Sequence, residues 1–139
     1  MNHWLVKGDP DDYSARDLER DGRAAWDGVH NPVALRHLRS MTSGDLLLIY
    51  HTGKEKAIVA TGRVASTPRD DPNDAGSAIV DLAFSGWLKR PVTLAEVKSD
   101  PFFADFALVR QARLSVMPVT AAQWQRLLAM ADAAGPARK

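Results

Sequence analysis

An α+β domain built on a curled mixed β-sheet flanked by short helices is the fold class that this sequence predicts. Three observations carry that reading. The run Leu46-Leu47-Leu48-Ile49-Tyr50-His51 is apolar over a length that suits a strand buried on both faces, so it is placed at the centre of the sheet. Helix starts with capping chemistry recur along the chain, at Ser14 with Asp17, Asn31 with Pro32, Thr93 with Glu96, and Thr120 with Gln123. Most of the strands are joined by loops rather than by full βαβ crossovers.

In chain order, residues 3–7 form a short strand with Trp4 and Val6 on one face, stopped by Gly8-Asp9-Pro10-Asp11-Asp12. Ser14 caps a helix over 15–20 that ends near Gly22. A helix begins at residue 32, and Ala34, Leu35, Leu38 and Met41 form its buried face while Arg36, His37 and Arg39 point elsewhere. Gly44-Asp45 turns the chain into the central strand, and residues 52–56 lead on into a second long strand over 57–67. There Gly62 marks a bulge or a close approach. Residues 68–77 read as a solvated loop. An EF-hand starting at Asp71 fails, because residue 75 is alanine and Leu82 stands where the bidentate carboxylate is needed. Residues 78–84 form a strand that Ser85-Gly86 kinks, Thr93 opens a helix, residues 108–116 read as a further strand, and the last helix stops at Gly135-Pro136. The expected organisation is one domain over residues 1–134 with a frayed tail over 135–139.

The 139 residues suffice for a core without staples, and there is no cysteine to supply a disulfide, a thiolate metal site or a cysteine nucleophile. The first residues carry too short an apolar run for a signal peptide, and no stretch approaches the ~20 apolar residues of a membrane span. The expected location is cytoplasmic. Eighteen basic against seventeen acidic residues neither demand nor exclude a polyanionic partner.

Trp4-Leu5-Val6-Lys7, Trp26-Asp27-Gly28-Val29 with Asn31, Met41 with Gly44-Asp45, Tyr50-His51, Ile58-Val59 with Val64, the Asp71-Pro72 loop, and Arg113-Leu114-Ser115-Val116 with Pro118-Val119 and Trp124 follow one another in a specific order. On these motifs the sequence resembles the EVE domain, of the PUA-like superfamily that also holds ASCH and YTH domains. The resemblance implies a PUA-like curled sheet or small β-barrel with a pocket for a flipped or single-stranded modified base of DNA or RNA, and no catalysis, cofactor or metal. Such a base would be held by aromatic faces and read along its edge. It further implies that Trp26, Asn31, Lys7, Gly8, Tyr50, His51 and Ser115 line the ligand. Arg36, Arg39 and Arg113 are the candidate backbone contacts, if they cluster in space. Two departures stand out. Gly8 replaces a hydroxyl residue, and Pro32 replaces an aromatic that could stack on a base, so the pocket should be roomier or less polar than is usual in the family.

Each of these residues also has a plainer reading. Trp26 suits a core as well as a stacking platform, and helix capping alone explains Asn31. Two other function classes stay open: a small PUA-like enzyme acting on RNA or a nucleotide, with His51 as acid or base, and a protein-interaction domain with a vestigial pocket. His51-Thr52-Gly53 lacks the second His-x-Thr that a paired-histidine phosphoesterase needs. His30 and His37 lack a zinc-binding helix pattern, and Ser115 lacks a glycine elbow.

Overall fold

Leu46–His51 is central, as its apolar run requires, with a neighbour on each side. The computed structural model describes residues 2–132, in which the elements are β1 (His3–Gly8), α1 (Ala15–Asp21), β2 (Arg23–Trp26), α2 (Pro32–Arg39), β3 (Leu46–His51), β4 (Ala57–Val64), β5 (Arg69–Asp70), β6 (Ala78–Thr93), α3 (Leu94–Ser99), a 3₁₀ turn (Pro101–Phe103), α4 (Ala107–Arg110), β7 (Val116–Val119) and α5 (Ala121–Asp132). The expected helix stop at Gly135-Pro136 and the tail over 135–139 lie outside the described residues. The strands run in the order β2-β6-β4-β3-β1-β7, with β5 beside β6. Only β1 and β3 pair in parallel, so the sheet is mixed, and its path is open rather than closed.

The curl follows from two helices. β6 and β7 lie four places apart in the sheet, yet α2 packs on both, and α5 leaves β7 to pack on β6. A flat sheet could not present both strands to one short helix. Bulges supply the bend, at Ile49/Tyr50 between β3 and β4 and at two points between β4 and β6. The core inside includes Leu5, Leu18, Leu38, Leu47, Ile58, Leu82 and Met117, all fully buried. Among the described residues no helix is long and apolar enough to cross a membrane.

Several expectations need correction. Residues 108–116 do not form a strand. Leu108 joins Phe103 and Phe106 in the core from a short helix, and the strand is Val116–Val119. Pro118 lies within it, which an edge strand tolerates because β7 pairs only with β1. β4 ends at Val64 rather than at residue 67. β6 continues through Ser85-Gly86 to Thr93, and the irregularity appears as register shifts against β4 in which β6 carries the extra residues. β2 escapes the sequence reading because it has four residues, two of them alanines with little strand preference. Two residues of the loop over 68–77 pair with β6 as β5.

The turn into β3 is locked by a buried carboxylate. Asp45 accepts hydrogen bonds from the Trp4 indole N–H (2.9 Å) and from the backbone N–H groups of Thr42 (2.9 Å) and Asn2 (3.1 Å). Burial pushes its pKa up, but these donors outweigh burial and hold it below the usual carboxylate value. A depressed carboxyl contributes stability above its unfolded pKa and loses it as pH falls through the folded one. Asp45→Asn is therefore expected to cost about 2 kcal/mol at neutral pH, the scale of hydrogen bonds to a charged group. In urea titrations its deficit against the parent should shrink as pH is lowered into the acid range. A deficit independent of pH would contradict this account.

Candidate binding site

The connection from β1 to α1 is folded by its own backbone. The N–H groups of Asp12 and Tyr13 both donate to the Asp9 carbonyl, at 3.0 and 2.9 Å, and Asp11 N–H donates to the Asp9 carboxylate at 2.9 Å. Ser14 caps α1 in a full capping box with Asp17. Ala15 N–H donates to His51 Nε2 at 3.0 Å, which ties the start of α1 to the end of β3. A backbone amide can only donate, so Nε2 carries no proton, and the ring proton sits on Nδ1, 2.7 Å from Glu55 Oε1. His51 is thereby committed through both nitrogens and is buried.

This frame brings Tyr13 against Trp26, edge to face, with ring centroids 6.4 Å apart at 79°. The Tyr13 hydroxyl donates to Asp21 at 2.6 Å; burial first, and then that carboxylate, push its pKa up to about 12, so the phenol stays protonated and fixed. Gly8 ends β1 against the same indole. A Cβ built there would lie 3.3 Å from Cη2 and Cζ2 of Trp26, so the room left by the missing side chain is taken up by the indole edge. The result is an open cleft of about 440 Å³ at the ends of β1 and β2, within the usual range of small-ligand sites. Trp26 and Tyr13 give it aromatic walls. Asp9, Asp12 and Asp27 give it three carboxylates, and Lys7, whose ammonium donates to the Ala112 carbonyl, is the one basic residue on its wall.

Of the residues expected around a ligand, Lys7, Gly8 and Trp26 therefore come together. Asn31 does not line this cleft; it caps α2, accepting from Val33 N–H (2.9 Å) and Ala34 N–H (3.1 Å). Tyr50 and Lys7 line a second cavity, and His51 lines a third, on the far side of the 9–14 connection. Ser115 acts through its carbonyl, which accepts from Lys7 N–H at 2.9 Å and positions the end of β1. Arg39 is engaged by Asp70 (2.9 Å) and the Ser77 carbonyl (3.3 Å). Arg36 is exposed on α2, and Arg113 is exposed next to Ala112, whose carbonyl accepts from Lys7 Nζ at 2.9 Å. Arg36 and Arg39 thus stand on α2 and Arg113 on the segment that precedes β7. Sequence reasoning missed Tyr13, Asp12 and Asp27; the signal available was an aromatic set directly between an acidic turn and a helix cap. Among the described residues no group of three or more His, Asp or Glu side chains could hold a metal ion.

A family model described as the EVE domain matches residues 2–130. Thymocyte nuclear protein 1 of Homo sapiens is 26% identical over 168 aligned positions, covering 94% of this chain and 74% of that protein. The NMR structure of Rpa0253 from Rhodopseudomonas palustris superimposes with a TM-score of 0.89 at 38% identity, covering 94% of this chain and 93% of that one. A crystal structure of human THYN1 protein in complex with 5-methylcytosine containing DNA superimposes with a TM-score of 0.88 at 24% identity, over 97% of this chain and 100% of that chain.

Proposed function

The chain belongs to the EVE domain family, and from that premise we propose that it is a non-catalytic binding module for a modified nucleobase of DNA or RNA, held flipped or unpaired in the Trp26 cleft. The observation that carries the reading is the pairing of aromatic walls, Trp26 and Tyr13, with carboxylates that only accept. The carboxylates of Asp12 and Asp27 make no hydrogen bond or ion pair among the described residues, and a carboxylate is the natural partner of an exocyclic amino group such as that of cytosine. The 5-methylcytosine containing DNA bound to human THYN1 supports a ligand of this kind. His51 supports a role without catalysis, since the acid–base function open to it is used up on Ala15 and Glu55. Lys7, Gly8 and Trp26 make the direct contacts in this reading, while Asn31, Tyr50, His51 and Ser115 hold the walls in place.

Three single-stranded oligonucleotides differing at one central base, 5-methylcytosine, cytosine or thymine, test it by fluorescence polarisation. Thymine keeps the methyl group and replaces the amino group by a carbonyl. The 5-methylcytosine strand should bind tightest, and Trp26→Ala should erase its advantage. A base–aromatic stack is worth about 1–3 kcal/mol, roughly 5- to 150-fold in affinity. Equal binding of all three strands would overturn the reading.

A further inference from the structure

A second cavity, of about 260 Å³, opens on the other side of Lys7, between the end of β3, α3 and the segment from α4 to Ala112. Its charge is opposite to that of the Trp26 cleft. Lys7, Lys56 and Lys98 line it, and no carboxylate does. Elsewhere on the surface Arg20, Arg23, Arg39, Arg69, Arg90 and Arg126 are paired with acidic side chains, whereas these three lysines have no ion pair among the described residues.

Two groups in the cavity have unused hydrogen-bonding capacity. Tyr50 is only 3% exposed and lines the cavity, yet its hydroxyl has no hydrogen-bond partner among the described residues. Lys7 Nζ lies 5.5 Å from the centre of the Tyr50 ring and spends one of its three donors on the Ala112 carbonyl. Burial holds the Lys7 pKa below its usual value, so its ammonium is a half-buried cation with no counter-charge beside it. Apolar Leu94, Leu108 and Val109 complete the walls, which strengthens the pull of the lysines on an anion.

We infer that this cavity is a phosphate site that takes a backbone phosphodiester of the same strand whose base enters the Trp26 cleft, Lys7 standing between the two. The assignment of the anion to a nucleic acid rests on the base-binding reading above. It also resolves a difficulty of that reading, because the acidic cleft by itself repels the polymer whose base it holds.

The test is Lys56→Gln/Lys98→Gln, two exposed substitutions, assayed with the same three oligonucleotides between ~50 and ~200 mM salt. Affinity for all three strands should fall by a common factor. The slope of log K against log salt should become shallower by about 0.7, the value for one phosphate contact with a single strand. The preference for 5-methylcytosine should stay unchanged, and Arg63→Gln/Lys89→Gln, which removes the same charge elsewhere, should leave the slope nearly as it was. An unaltered slope in Lys56→Gln/Lys98→Gln would overturn the phosphate site while leaving the base preference intact. A shallower slope in a protein that shows no base preference would instead retain the phosphate site and remove the base-binding reading. Inorganic phosphate provides the last arm. If it shifts the Leu108 and Val109 methyl resonances in the parent and not in the double variant, while oligonucleotide binding is the same in both, the cavity holds a free anion and the assignment to the strand is wrong.

Discussion

Gly62→Ala is expected to destabilise the fold by about 3 kcal/mol, the upper part of the range for overpacking a filled core. A Cβ at this position would lie 2.6 Å from the Ala83 carbonyl oxygen and 2.9 Å from Leu47 Cδ1. Neither neighbour can give way easily. β4 is an interior strand held by β3 on one side and β6 on the other, and Leu47 is fully buried. The sheet bends here, since the register with β6 shifts between Thr61 and Gly62, and the bend brings the β6 backbone into the space a side chain would need. Urea denaturation should give a lower midpoint with an unchanged slope, and the thermal midpoint should fall by about 10 °C on the usual scaling for a domain of this size. Gly86 is the internal control: a Cβ there meets nothing within 4 Å. Gly86→Ala should therefore change stability by less than about 0.5 kcal/mol. Equal stabilities of the two variants would refute this account of the bend.

Gly62 also shows what was legible in the sequence. A glycine inside a strand pattern announces a bulge or a close approach, and both are present. The helix starts were legible for a similar reason: capping is local, and Ser14, Asn31, Thr93 and Thr120 cap the helices where they were expected. What the residues could not announce is pairing between distant segments. Arg23–Trp26 is a strand only because β6 lies beside it, and residues 108–116 lose their strand because Leu108 finds Phe103 and Phe106 in the core. The candidate site divides along the same line. Lys7, Gly8 and Trp26 come together because two strand ends meet there, whereas Tyr13 joins them only through turns anchored on Asp9 and a helix start held by His51. The expectation that Gly8 leaves a roomier pocket treats its vacancy as open space. That space is instead closed by the Trp26 indole, which a single residue read alone does not reveal.

The same contact yields the sharpest functional prediction. Gly8→Val should weaken binding of the 5-methylcytosine strand by roughly tenfold, a fraction of the stacking energy that Trp26 supplies. A Cβ already 3.3 Å from the indole has no room for two further methyl groups, so the ring must swing away from Tyr13 and the aromatic wall is lost. The strand itself tolerates the change, since valine suits extended backbone, and Gly8 sits at the end of β1 opposite His51. Thermal stability should therefore move little, which separates this effect from misfolding. Gly8→Ala, which adds the Cβ alone, needs only a few tenths of an ångström from its neighbours and should retain most of the affinity. The decisive comparison is a double-mutant cycle. If Gly8 acts by letting the indole close over the cleft, Gly8→Val should cost nothing once Trp26 is alanine, and the two losses should fail to add. Additive losses would mean that Gly8 contributes to binding by some route other than the position of Trp26.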